Sequence, residues 1–181
     1  PPVERPPILL GQASTKTPLF LLARDRRRSL RIVPLSMKVM ELPQGDIFTF
    51  SLEPKTKSPD IASARVNVRK VLEQRWPDLP IGRIAQLSTG TDRYAPNNGQ
   101  AISGPAALLI HSSLTGRPLR PGVTLVAEVA SDGSLTRPLQ SWSYLRALRL
   151  TPGGRLLVAP DFEPELRAMI ALEDPAFFLR W

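Results

Sequence analysis

The chain has 181 residues, 42% of them hydrophobic and 22% charged, which is the usage of a globular domain and enough length to bury one sizeable core. It contains no cysteine, so a disulfide framework, a thiolate nucleophile and a cysteine-ligated zinc site are excluded. No apolar run approaches the roughly 18 residues of a bilayer span, and Pro1-Pro2-Val3-Glu4-Arg5 is not the start of a signal peptide. The expected location is therefore intracellular, in the cytoplasm, with no membrane partner.

The formal charge of +8 is unevenly placed. Residues 1–100 carry 16 basic and 9 acidic side chains, leaving 8 of the 24 basic and 7 of the 16 acidic ones for residues 101–181. The excess is focused at Arg24, Arg26, Arg27, Arg28 and Arg31. Such a cluster reads either as a solvated turn or as a surface for phosphates or acidic partners, and it lacks the interleaved aromatics on which bases would stack.

In chain order, residues 1–17 form a proline-rich arm, expected to be extended, and residues 18–181 a single domain with a β-rich portion over 18–46 and a core over 47–181. Pro18 to Ala23 suits a buried strand, and the Arg-rich stretch a hairpin connection into a strand at Leu30 to Leu35. A further strand is expected from Met37 to Leu42, a turn at Pro43-Gln44-Gly45-Asp46, and another strand from Ile47 to Leu52. Ser58-Pro59-Asp60 is a helix start: a capping hydroxyl, a proline pre-set for the first helical position and an acid that suits the dipole. Ile61, Ala64, Val68, Val71 and Leu72 follow at helical spacing, placing Arg65, Arg69 and Lys70 nearer solvent, and the helix should stop before Trp76-Pro77.

A strand from Arg83 to Leu87 and a polar loop from Ser88 to Gly99 come next, then a helix from Gly104 through Leu114, closed by Gly116 and Pro118. The remainder alternates: strand Val123 to Val129, turn Ser131 to Ser134, strand Leu135 to Leu139, helix Trp142 to Leu148, strand Arg155 to Ala159, helix Glu163 to Leu172, strand Ala176 to Leu179. Hairpins mixed with helices predict an α+β fold with a mixed sheet and packed helices.

Leu114-Thr115-Gly116-Arg117-Pro118, then Val126-Ala127-Glu128-Val129, Gly133-Ser134-Leu135, Pro138 and Leu156-Leu157-Val158-Ala159-Pro160, are together similar to the block that characterises the proteolytic domain of Lon-type proteases. The strong part covers Pro96 to Pro160, and the preceding helix and strand fit in order and length. The resemblance implies a Lon-like fold, association into rings, and a Ser-Lys dyad in which a neutral amine accepts the serine proton. Reading back from Leu114 without a gap, Pro96 and Gly99 match the family's serine motif, Asn98 replaces its acid, and Ala101 falls on the serine itself. The lysine position falls on Tyr144 or Leu145, and the last lysine of the chain is Lys70. Both catalytic positions are thus expected to be degenerate, and no catalytic residue, cofactor or metal is expected.

Other groups offer little chemistry. Ser103 is the candidate displaced nucleophile but has no identifiable base; His111 shares a helix with Ser112 and Ser113, and adjacent helical residues point apart. Glu128 suits a structural role, while Asp132, Asp161 and Glu163 lack the dense carboxylate loop of a cation site. The Gly153-Gly154 pair reads as a turn, and no phosphate-binding Gly-x-x-x-x-Gly-Lys-Ser/Thr segment is present. Trp142 and Tyr144, with Leu145 and Leu148, are expected either in the core or on a partner-binding face, and Phe177, Phe178 and Trp181 as docking residues near the C-terminus. The expected function is a non-catalytic interaction or assembly module with a protein partner or self-association. The alternative is a nucleic-acid-binding module of a DNA repair or recombination ATPase, and the third is a serine peptidase acting through Ser103.

Overall fold

The computed structural model of the protein describes residues 19–24, 30–46, 50–53, 59–78, 81–88, 95–96, 99–120, 122–139, 141–149 and 154–177. It is α+β. Strands β1 (Leu19–Arg24), β2 (Leu30–Asp46), β3 (Ser51–Glu53), β4 (Ile81–Ser88) and β5 (Ala95–Pro96) form one sheet in the order β3-β4-β2-β1-β5. β1, β2, β4 and β5 pair antiparallel and β3 runs parallel to β4, so the sheet is mixed. Helix α1 (Pro59–Arg75) precedes β4, and helix α2 (Ser103–Thr115) follows a 3-10 turn at Gly99–Ile102. Beyond it, β6 (Val123–Val126) pairs parallel with β9 (Arg155–Val158), and β7 (Glu128–Val129) pairs antiparallel with β8 (Leu135–Thr136). Helices α3 (Ser141–Arg149) and α4 (Glu163–Glu173) complete the described part. Among the described residues no helix is long and apolar enough to cross a membrane.

β2 departs from expectation: it runs as one strand through Ser36, joining the two strands expected on either side, and through the expected turn at Pro43 to Asp46. Its first half pairs with β1 and its second half with β4, so neither Pro34 nor Pro43 interrupts a ladder on both sides. Pro43, Gln44 and Gly45 fall where the register jumps from Glu41–Arg83 to Asp46–Ile81, a bulge in which a missing N–H costs no ladder bond. Gly45 is needed there because a Cβ would lie 2.7 Å from Ile84 Cγ2 and 2.8 Å from the Arg83 carbonyl oxygen. The single strand expected over Val123 to Val129 is divided at Ala127 into β6 and β7, which join different sheets. Ala176 and Phe177 are not in a strand: the Phe177 N–H donates to the Asp174 carbonyl in a local turn and the ring is fully buried. Phe178 and Trp181 lie outside the described residues, as do the arm at residues 1–17 and the helix cap Ser58.

The core is set by the two periodicities. Leu35, Met37 and Val39 alternate inward along β2, as do Ala85 and Leu87 along β4. Ile61, Ala64, Val68 and Leu72 form the buried stripe of α1, and Ala106, Leu109, Ile110 and Leu114 that of α2. Phe50, Phe162 and Phe177 are the largest fully buried side chains. Arg69 and Lys70 of α1 lie toward solvent as expected and Arg65 is half-buried, and polar side chains of this helix also bond to neighbouring elements. Arg65 Nε donates to the Phe50 carbonyl at 2.8 Å, and its guanidinium lies 5.7 Å from the Phe50 ring centroid. Asn67 Nδ2 donates to the Val129 carbonyl and Lys70 Nζ to that of Ser131, tying α1 to the β7-β8 turn. Arg69 bridges Asp46 and Glu73.

Candidate functional site

The 3-10 turn and the first turn of α2 carry the residues that the protease resemblance singles out. A helix entered through Ala101-Ile102-Ser103-Gly104 can lie flush against neighbouring backbone, and this one does. Ala101 is 3% exposed and Ser103 fully buried. The Ser103 hydroxyl donates to the Gln100 carbonyl at 2.7 Å and accepts the Val129 N–H at 2.8 Å, fastening α2 to β7. Its proton is engaged by a backbone carbonyl and its oxygen already accepts, and among the described residues no base is bonded to it. Gly104 completes the seam, since a Cβ there would drive into the carbonyl of Ala127.

Tyr144 and Leu145 are core residues of α3, at 5% and 0% exposure. The Tyr144 phenol is held far above its ordinary value, first by burial and then by the charge of Glu128, so it stays neutral across the physiological range. Glu128 is itself buried on β7, which packs against the 3-10 turn. Ala101, Tyr144 and Leu145 thus sit among packed side chains. Of the two readings the sequence leaves open, Tyr144 takes the core one and is not available as an interaction residue, whereas Trp142 is 43% exposed. Residues two apart on a helix project roughly 200° apart, so one of the pair had to turn inward. Trp142 lines a shallow cavity of about 290 Å³ with Leu139, Ser143 and the Arg137–Glu165 ion pair.

The remaining candidates are structural. Gly116 adopts the left-handed conformation (φ 65°), so that its N–H bonds to Ser113 and that of Arg117 to Ser112, a Schellman closure of α2. The Ser112 hydroxyl donates to the Arg117 carbonyl, and that of Thr115 to the His111 and Ser112 carbonyls. Asp132 accepts both the backbone N–H and the hydroxyl of Ser134 within the β7-β8 turn, which lowers its carboxyl below the usual range. Glu163 is paired with Arg167. Among the described residues no group of three or more His, Asp or Glu side chains could hold a metal. In the basic cluster, Arg24 is in register with Leu30 and with Ala95, and Arg31 with Ala23; Arg26, Arg27 and Arg28 lie outside the described residues.

His111 is partly exposed, its ring tilted 53° to that of Trp76 with centroids 6.0 Å apart. Burial, and then the charge of Arg75, lower its pKa. As pH falls, the unfolded chain therefore takes up the histidine proton first. The stabilisation is fully present above the unfolded value of about 6.5 and is lost as pH falls from there through the lower folded value. A calorimetric melting temperature lower at pH 5.5 than at pH 7.5 is expected, with His111→Gln reducing the difference. The Asp132 contribution is lost only in a lower window, below about 3.9.

The sequence reading did not anticipate the Ser103–Val129 bridge or the contact of Gly104 with Ala127; the small pair Ser103-Gly104 facing small Ala127 was the available signal. Nor did it anticipate the groove between β9 and α4. No protein-family model matches the chain. Over 70 residues the chain is 31% identical to the 3-hydroxyacyl-[acyl-carrier-protein] dehydratase FabZ of Campylobacter fetus subsp. fetus. That alignment takes in 39% of this chain and 45% of the dehydratase, so the chain spans under half the length of the relative it matches.

Proposed function

We propose that this chain is a non-catalytic domain of Lon-protease type that serves as an interaction and assembly module. The observation that carries the reading is the state of Ser103: this hydroxyl, two residues from the degenerate position Ala101, is fully buried and bonded on both sides to backbone. The last lysine supports it as well. Lys70 Nζ donates to the Ser131 carbonyl in an exposed hydrogen bond, and no lysine follows it in the chain.

Dehydration of a 3-hydroxyacyl group, the activity in the name of the partial relative, needs a base for the α-proton and an acid for the departing hydroxyl. The only histidine, His111, has Trp76 and the cation Arg75 as its described neighbours, which does not favour that chemistry. For nucleic-acid binding, Arg65, Arg69 and Lys70 of α1 are already engaged within the fold, which leaves that reading to the Arg24 to Arg31 cluster.

The test uses the purified chain and an Ala101→Ser variant. Neither is expected to react with a fluorophosphonate serine probe or to cleave unfolded casein, because restoring one hydroxyl supplies no base. Sedimentation with and without duplex DNA is expected to give a mass that DNA does not change. Labelling of Ser103 would overturn the reading in favour of a peptidase, and binding that weakens steeply with salt would favour the nucleic-acid alternative.

A further inference from the structure

β9 is paired on one side by β6, and among the described residues no strand occupies its other edge. A groove of about 580 Å³ lies there. All four residues of β9 line it. Side chains of a strand alternate between faces, so a cavity touched by every one of them runs along the strand edge rather than over one face. Its opposite wall is α4, through Leu166, with Glu163 and Arg167 at the rim and Phe177 at the floor. Among the described residues the free edge Arg155-Leu156-Leu157-Val158 carries no proline and no lysine, and its one charge is that of Arg155.

We propose that this edge receives an extended segment of an acidic partner protein, which adds to β9 as a strand and carries aliphatic and acidic side chains in alternation on one face. This names a partner class for the interaction-module reading and rests on it. The alternation follows from β9 itself. Arg155 and Leu157 are both exposed, the latter at 47%, and being two apart they share a face. Residues of an added strand that meet them on that face are likewise two apart, one opposite a guanidinium and the other opposite an isobutyl group. The rim sets the sign. Arg155 forms no ion pair among the described residues, whereas Glu163 is matched by Arg167, so the groove keeps a net positive charge. The whole chain is at +8, and a second copy would bring the same positive edge; like charges across a pairing edge are repulsive. An acidic partner is favoured for that reason.

The probe is a fluorescein-tagged octapeptide, Thr-Leu-Thr-Glu-Thr-Leu-Thr-Glu, titrated with the full chain by fluorescence anisotropy. Saturable binding is expected. Arg155→Glu should weaken it at least tenfold and reverse the preference toward the peptide with lysine in place of glutamate. Loss of folding cannot produce such a reversal. Peptide N-methylated at alternate amides should not bind, because strand addition needs those N–H groups. Absence of saturable binding, or binding indifferent to both Arg155→Glu and N-methylation, overturns the proposal. A second copy in the groove also overturns it, and is recognised when the protein alone sediments as an oligomer that Leu157→Asp converts to monomer. If the peptide fails while Leu157→Asp leaves an oligomer intact, the groove assignment falls and the interaction-module reading stands.

Discussion

Gly104→Ala melts roughly 6–12 °C below the parent protein, corresponding to a loss of about 3 kcal/mol at a few degrees per kcal/mol for a chain of this size. The sign is opposite to the usual one. At an unencumbered position inside a helix, alanine is favoured over glycine by about 1 kcal/mol, because glycine gives up more backbone freedom on folding. Gly104 lies in the first turn of α2, where the new methyl would meet the carbonyl oxygen of Ala127 and lie 2.9 Å from its carbonyl carbon. A flexible side chain could move aside, but this is backbone, and it is held on both flanks. The Val126 carbonyl accepts from the Ala159 N–H at 3.2 Å, and the Val129 N–H is bonded to Ser103. Relief requires α2 to lift from the β6-β7 segment, which would stretch the Ser103 bridge next to it. Overpacking against a fixed wall therefore exceeds the propensity gain. Thermal denaturation followed by circular dichroism measures the difference, and a melting temperature equal to or above the parent's would show that the seam is looser than described.

Much of the fold was legible because periodicity and punctuation agree locally. The stripe Ile61, Ala64, Val68, Val71 and Leu72 predicts α1, and all are buried but Val71, which is half-buried; Gly116 followed by Pro118 predicts the end of α2, and Gly116 is the left-handed residue that closes it. The illegible parts depended on partners distant in sequence. Pro43 reads as part of a turn, and is tolerated within a strand because it falls in the bulge where the register of β2 against β4 jumps. Val123 to Val129 reads as one strand, yet Ala127 breaks it where Gly104 approaches. The same limit applied to the site. That Ala101 cannot attack a carbonyl follows from its composition alone. That Ser103 is held from both sides needed the position of Val129, 26 residues further on. Tyr144 and Trp142 were read as one face, and the phase of a nine-residue helix could not be set from so few apolar positions.

Ser103→Ala is the companion experiment, and its two readouts should move in opposite directions from those of a catalytic serine. Removing the hydroxyl leaves the Val129 N–H buried without its acceptor and withdraws the donor from the Gln100 carbonyl. A buried donor left unsatisfied costs about 1–3 kcal/mol, and a carbonyl retains a second lone pair and suffers less, so the combined loss is about 2–3 kcal/mol. The melting temperature should fall by roughly 4–12 °C. Amide exchange at Val129 should accelerate more than at the buried stripe of α1, because the first event is release of β7 from α2 rather than global unfolding. Ser103→Cys should lie between the two, since a thiol fits the space but is a weak donor and acceptor. For a displaced nucleophile the pattern would be inverted: alanine would abolish reactivity with serine probes and leave stability and Val129 exchange unchanged. Measuring both on the same variant separates a serine that joins two elements from one that attacks a substrate.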